Sequence, residues 1–226
     1  MLNLSLRLKT IASLVPRGAR VCDVGTDHAR LPIYLKQADI AAHVIATDLN
    51  QKPLENAKAN LALSGVCDID LRLCDGLTGV AENEADTVIV AGIGGEVISG
   101  ILKNCRWLKN NGITLILQPT TSPEVLRRFL AENGFEILSE TPVFENNKIY
   151  SVMKVAFTGI TAPCNEGFYY VGRMPKTADG IVYIKKQQKR VYECMTALAS
   201  IETKRAQYNF YKKVYTQIND YLTESN

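Results

Sequence analysis

The chain has 226 residues, of which 46% are hydrophobic and 22% charged, which excludes a largely disordered or fibrous protein and fits one large domain or a domain with an appendage. Its net charge of +3 is unevenly placed: residues 158–226 hold 10 Lys and Arg against 6 Asp and Glu, whereas residues 1–157 hold 16 against 17, so attraction to a polyanion belongs to the C-terminal part. Arg7 and Lys9 interrupt the apolar start, no cleavage signal follows, and no apolar run is long enough to span a membrane, so a soluble, cytoplasmic protein with no membrane partner is expected.

In chain order, Leu4, Leu8, Ile11, Leu14 and Val15 recur at helical spacing and predict an opening amphipathic helix ended by Pro16 and Gly18. "ARVCDVG" reads as a buried strand, "ARLPIYLKQA" as a helix with Pro32 in its first turn, "AHVIATDLN" as a strand and "KPLENAKANLALSG" as a helix ended by Gly65. "IDLRLCDG" alternates as a strand does. "ADTVIVAGIGG" is an apolar strand running into a glycine turn, and "EVISGILKNCRWL" continues as a helix. "GITLILQP" is a further strand, "SPEVLRRFLAENG" a helix that Ser122 is placed to cap, and "FEILSETPVFENNKIYSVMKVAF" an antiparallel hairpin. This alternation predicts an α/β fold with a doubly wound, Rossmann-like parallel sheet. A terminal hairpin matches the class I methyltransferase variant, whose last strand inserts antiparallel at the sheet edge.

Six cysteines are widely spaced without a CxxC pair and read as buried, reduced thiols. With His28 and His43 the only histidines, no metal is expected. Residues 1–157 read as one domain, followed from residue 158 by a linker rich in Gly, Pro and Thr. From Ile181 to Leu222 there is neither Gly nor Pro. One apolar stripe there (Ile184, Val191, Met195, Leu198) falls out of phase with a second (Tyr208, Tyr211, Tyr215, Ile218, Leu222) near Ser200–Arg205, which favours two helices folded into a hairpin over one long helix.

Ligands of such sheets bind at the carboxyl ends of the strands. After the first strand comes "DVGTDHARLP", with Asp23 and Asp27 flanking a lone Gly25. Two carboxylates repel a pyrophosphate and so exclude a dinucleotide. They suit a ligand with cationic centres and hydroxyls but no phosphate, as S-adenosylmethionine is. Asp48 ends the second strand, about 20 residues on, where an acid grips ribose hydroxyls. Asp75 and Gly76 end the third, where an acid accepts from an adenine amino group, with a plain Asp-Gly turn as the alternative. Gly92, Gly94 and Gly95 end the fourth and leave its loop bare for close approach. The expected donor set is therefore Asp23, Gly25, Asp48, Asp75, Gly76 and Gly92.

The stretches "LSLRLKTIASLVPRGARVCDVGTDHARLPIYL", "AGIGG" and "LILQP" resemble the bacterial tRNA (adenine-22-N1)-methyltransferase family, class I enzymes with a coiled-coil extension. The resemblance covers nearly the whole chain and implies methyl transfer from S-adenosylmethionine to the adenine ring nitrogen, yielding S-adenosylhomocysteine, with tRNA as partner and the tail as docking domain. That nitrogen already offers a lone pair, so an anion near the developing cation matters more than a strong base. Asp27 is the candidate for that anion, with His28 orienting it or bonding the base; a satisfied packing residue is the equal alternative for His28. The nitrogen faces its Watson–Crick partner, so the base must be turned out. Gly94 and Gly95 are expected to leave room for it, with Gln118 and Pro119 as pocket wall; for Gln118 a core-edge hydrogen bond is the plainer reading. Arg7 and Arg30 are taken as substrate-binding, with Lys9, Arg17 and Arg20 also near the first loop. Arg30 stands where an aromatic residue is expected. Lys185, Lys186, Lys189 and Arg190 form a basic cluster on the first tail helix, expected to meet RNA phosphates. The rival readings are a methyltransferase for another RNA, a protein or a small molecule, and a non-catalytic RNA-binding protein. A monomer is favoured.

Overall fold

The computed structural model describes residues 2–223. Seven strands form one sheet, β1 (Ala19–Val24), β2 (Ala41–Asp48), β3 (Asp70–Leu73), β4 (Thr87–Ile93), β5 (Thr114–Pro119), β6 (Phe135–Glu145) and β7 (Lys148–Phe157), in the order β3-β2-β1-β4-β5-β7-β6. The first five are parallel, while β7 runs antiparallel to β5 and to β6. The antiparallel strand is thus inserted one place in from the edge, and β6 forms the edge itself. Asn146 and Asn147, at φ 49° and 59°, make the tight left-handed turn that joins them.

Alternation along the strands feeds two cores, one on each face of the sheet. Cys22, Val88, Val90, Leu115 and Leu117 point to one face. There they meet Ile98 and Leu102 of α4 (Gly95–Asn104) and Leu126 and Leu130 of α5 (Pro123–Glu132). Val21, Val44, Ile89 and Ile116 point to the other face. Their partners are Ile11 of α1 (Leu6–Ser13), Ile33 and Leu35 of α2 (Arg30–Gln37), and Ala57 and Leu61 of α3 (Gln51–Ser64). Ser5 caps α1 through its side chain, and Gly65 at φ 69° stops α3. Ser122 does not cap α5: it sits at φ 48° without a side-chain cap bond, because its turn packs against the start of α4.

The segment from residue 158, read as a linker, holds a short helix, α6 (Glu166–Val171), capped by Asn165. Its Tyr170 and Val171 are buried with Met174, a position that Gly and Pro counts do not reveal. Two helices follow, α7 (Ala178–Leu198) and α8 (Arg205–Thr223), broken at residues 199–204 where the stripes change phase. Val191, Val214 and Ile218 form their seam, which continues into Ile149 of β7. The tail is fixed to the sheet by a buried cation. Arg127 of α5 bonds Glu140 of β6 through Nε (3.0 Å) and Nη2 (2.8 Å), and reaches the carbonyls of Tyr169 and Tyr170 and the hydroxyl of Tyr183. Ser151 Oγ and Arg173 N also donate to Glu140, so both buried charges are well partnered. Nothing in the local sequence pattern announces this network.

Among the described residues no helix is long and apolar enough to cross a membrane. The cysteines are free thiols; Cys22 and Cys105 are buried, but Cys67 and Cys164 are exposed, since each lies in a connecting segment and not in a strand.

Candidate active site

The acid-bearing turns converge at the carboxyl end of the sheet. Gly25 N and Thr26 N both donate to Thr47 O (2.9 and 3.0 Å), which folds the loop after β1 over the end of β2. Gly25 has φ 75°, and a side chain there would point into open space, so the glycine is required by the turn and leaves the backbone accessible. Asp23 and Asp48 are 6% and 8% exposed. Burial, with the Asp48 charge adding to it, pushes the Asp23 carboxyl up to about 6. Asp48 accepts from Asp27 N (3.3 Å) and Asn50 N (2.9 Å), one bond on each oxygen. The Asp27 side chain itself faces solvent at 68% exposure, with His28 Nε2 3.5 Å from its Oδ2. His28 is therefore a partner of Asp27 and not a packing residue.

Gly76 O accepts from Thr47 Oγ1 (3.1 Å), which ties the turn after β3 to the same rim, and Asp75 is exposed beside it. Asp75 and Gly76 also line a cleft of about 560 Å³ against Val97 and Ile101 of α4.

Gly92 occupies an irregularity in the pairing of β4 with β5, at φ 84°. The irregularity takes its N–H off the ladder, and Gln118 Oε1 accepts it at 3.2 Å. The same Oε1 accepts from Arg7 Nη1 (2.7 Å), and Gln118 Nε2 donates to Pro119 O (2.9 Å). Arg7 Nε in turn meets Glu145 Oε2 at 2.7 Å. Against the upward push of burial, hydrogen bonds from Ser5 and Arg7 hold the Glu145 carboxyl below its usual value.

Several of the residues expected to meet substrate make contacts within the protein. Gln118 is fully buried with its amide committed, so it orders the Gly92 turn rather than lining a base pocket. Arg7 belongs to the same brace. Gly94 and Gly95 permit the β4 and β5 loops to touch: a methyl on Gly95 would overlap the Ser122 carbonyl, and one on Gly94 would press on Thr121 Oγ1. Pro119 is buried and pairs with Ile93. Arg20 binds Asp86 at the start of β4, the opposite end of the sheet, and Arg17 lies on that side too. In the tail, Lys186 donates to Ile149 O and Arg190 pairs with Glu124 at 2.8 Å, which ties both to the first domain, though Lys186 stays exposed with Lys185 and Lys189. Glu145 and Thr26 are neighbouring residues that pattern reading missed: Glu145 sits in no recognisable motif, and Thr26, inside "DVGTDHARLP", stands between two more conspicuous acids.

A parallel sheet with one inserted antiparallel strand, carrying two buried acids around a bare glycine turn at its carboxyl end, defines a methyltransferase domain, and residues 4–153 match the family described as "Methyltransferase domain". The tRNA (adenine(22)-N(1))-methyltransferase of Bacillus subtilis (strain 168) is 30% identical over 215 residues, covering 89% of each chain, and the present chain belongs to that family. The crystal structure of the B. subtilis tRNA methyltransferase TrmK superposes with a TM-score of 0.87 at 26% identity, over 97% of this chain and 99% of that one. TrmK of M. capricolum, solved with the cofactor product S-adenosyl-homocysteine, gives a TM-score of 0.80 at 27% identity over 96% and 97% of the two chains.

Proposed function

We propose that this chain transfers a methyl group from S-adenosylmethionine to the N1 nitrogen of adenine 22 in tRNA, the reaction for which its B. subtilis relative is named. The observation that carries the reading is the pair of buried acids, Asp23 and Asp48, bracketing the open Gly25 turn, with Asp27 held outward by its backbone bond to Asp48.

S-adenosylmethionine supplies an activated methyl on a sulfonium. Asp23 offers acceptors to its amino-acid end, Gly25 allows backbone approach, Asp48 takes ribose hydroxyls, and Asp75 with Gly76 and Gly92 borders the adenine. Asp48 keeps acceptor capacity after its two backbone bonds, since an ionised carboxylate has about four lone-pair sites. The methylated adenine leaves as a cation. Asp27, exposed and 3.5 Å from His28, is the anion placed to face that charge and to accept from the exocyclic amine. Arg30, at the start of α2, carries the neighbouring strand, and the tail (residues 158–223) meets phosphates through its outward lysines.

The test is transfer of labelled methyl to unmodified tRNA, followed by nucleoside analysis. The expected product is 1-methyladenosine, absent when adenine 22 is replaced by guanine. Asp27→Asn is expected to lower kcat about a hundredfold with donor affinity retained. Unaltered kcat removes Asp27 from the mechanism.

A further inference from the structure

Beside the Asp27 loop a cleft of about 430 Å³ opens between the start of α2 and the C-terminal half of α3, lined by Leu2, His28, Arg30, Ile33, Asn60 and Leu63 among others. Its two walls are tied together, because Asn60 Nδ2 donates to His28 O at 2.9 Å. One end of the cleft is His28 itself, whose ring contacts Asp27 at 3.5 Å, so the cleft begins where the target base must sit. Asp27 and Ala29 are both left-handed, at φ 52° and 51°, and this double kink carries His28 and Arg30 around the corner from the donor site into the cleft.

Two features of the lining have no role within the protein. Arg30 is exposed, and its guanidinium has no hydrogen bond or ion pair among the described residues, whereas Arg7, Arg20, Arg72 and Arg127 are all paired. Leu63 is 87% exposed, more than any other large hydrophobic side chain described. A free guanidinium suits a phosphate, and a bare aliphatic surface suits the face of an unstacked base. Among the described residues that line the cleft there is no carboxylate, and Asp27 stands at its edge with His28 between it and the rest of the lining.

Building on the proposed tRNA methylation, we infer that this cleft seats the nucleotide next to the target adenine, its phosphate on Arg30 and its base against Leu63. Holding the neighbour there keeps the strand open while the target is turned out toward Asp27. Arg30 and Leu63 are thus substrate-positioning residues separate from the donor site.

The test compares the native chain with Arg30→Ala, Arg30→Lys and Leu63→Ser, using unmodified tRNA for kinetics and S-adenosylmethionine alone for calorimetry. Arg30→Ala is expected to raise KM for tRNA about tenfold and to reduce the slope of log affinity against log salt by about one. Arg30→Lys restores the slope, since the charge returns. Leu63→Ser is expected to raise KM about threefold to tenfold, in the range of one lost base contact, with the salt slope unchanged. Donor affinity and melting temperature stay at native values in all three. If the native chain makes 1-methyladenosine while Arg30→Ala and Leu63→Ser keep native KM and slope, the cleft belongs to another occupant and the inference is overturned. If the native chain makes no methylated nucleoside, the proposed function falls first and the cleft assignment with it.

Discussion

Asp23 is the residue whose environment most changes its chemistry. Because burial raises its carboxyl to about 6, the folded chain without ligand holds this proton to higher pH than the unfolded chain does. The group's contribution to stability is therefore greatest below about pH 4 and falls as pH rises to about 6. Donor binding has the opposite sign, since a cationic ligand needs the ionised form. Calorimetric titration should show affinity for S-adenosylmethionine rising with pH through about 6, and Asp23→Asn should be weak and flat across that range. A native profile without inflection would remove Asp23 from the ammonium site. At Gln118 the single side chain serves three partners. Gln118→Leu leaves the Gly92 N–H and Arg7 without their acceptor, at a cost of about 1–3 kcal/mol, and is expected to weaken donor binding about tenfold while KM for tRNA changes little. Both acids were legible because an acid at a strand end has a fixed place in this architecture. For Gln118 a core-edge hydrogen bond was legible but its partners were not, because "LILQP" gives no sign that the facing strand is irregular at Gly92.

Between elements, close approach decides more than propensity. The β4 glycines look like a bare loop for a ligand, yet Gly95 brings the first turn of α4 against the turn before α5, while Gly92 stays exposed. Gly95→Ala is expected to destabilise the fold by about 2–3 kcal/mol and lower the melting temperature, because the obstacle is backbone and cannot rotate away. The Arg127–Glu140 pair joins α5, β6, α6 and α7 in a site with no exposure. Arg127→Met leaves Glu140 buried with its charge unpaired, so a loss of about 3–5 kcal/mol is expected in denaturant unfolding. Adding Glu140→Leu should recover part of it; no recovery would mean that the network's role is packing alone.

For the whole molecule, this network makes the tail part of the folded unit and not a mobile arm. A chain cut after Phe157 exposes Ile149 and strips Arg127 of its carbonyl partners, and it is expected to be insoluble or only partly folded by circular dichroism. A soluble, cooperative 1–157 fragment would show the junction to be dispensable. The same rigidity fixes the positions of the tail cations that the proposed function turns toward RNA. Lys186 and Arg190 hold the junction, and Lys185, Lys186 and Lys189 of α7 and Lys212 and Lys213 of α8 are exposed. Tight salt dependence of tRNA affinity is expected, and charge reversal at Lys189 or Lys213 should weaken it without altering donor binding.

The strand and helix alternation, the terminal hairpin, the two-helix tail and the acids at the strand ends all follow from the sequence, because period-2 and period-3.6 patterns and strand-end turns are local properties of the chain. The tertiary structure alone decided which glycines stay open and which face a neighbouring loop, which of the four basic residues on α7 are tied to the first domain, and how Arg127 locks the tail to the sheet. Those outcomes depend on side chains far apart in sequence meeting in space: Gly92 with Gln118, Arg190 with Glu124, Arg127 with Tyr183. A local pattern carries no term for such contacts.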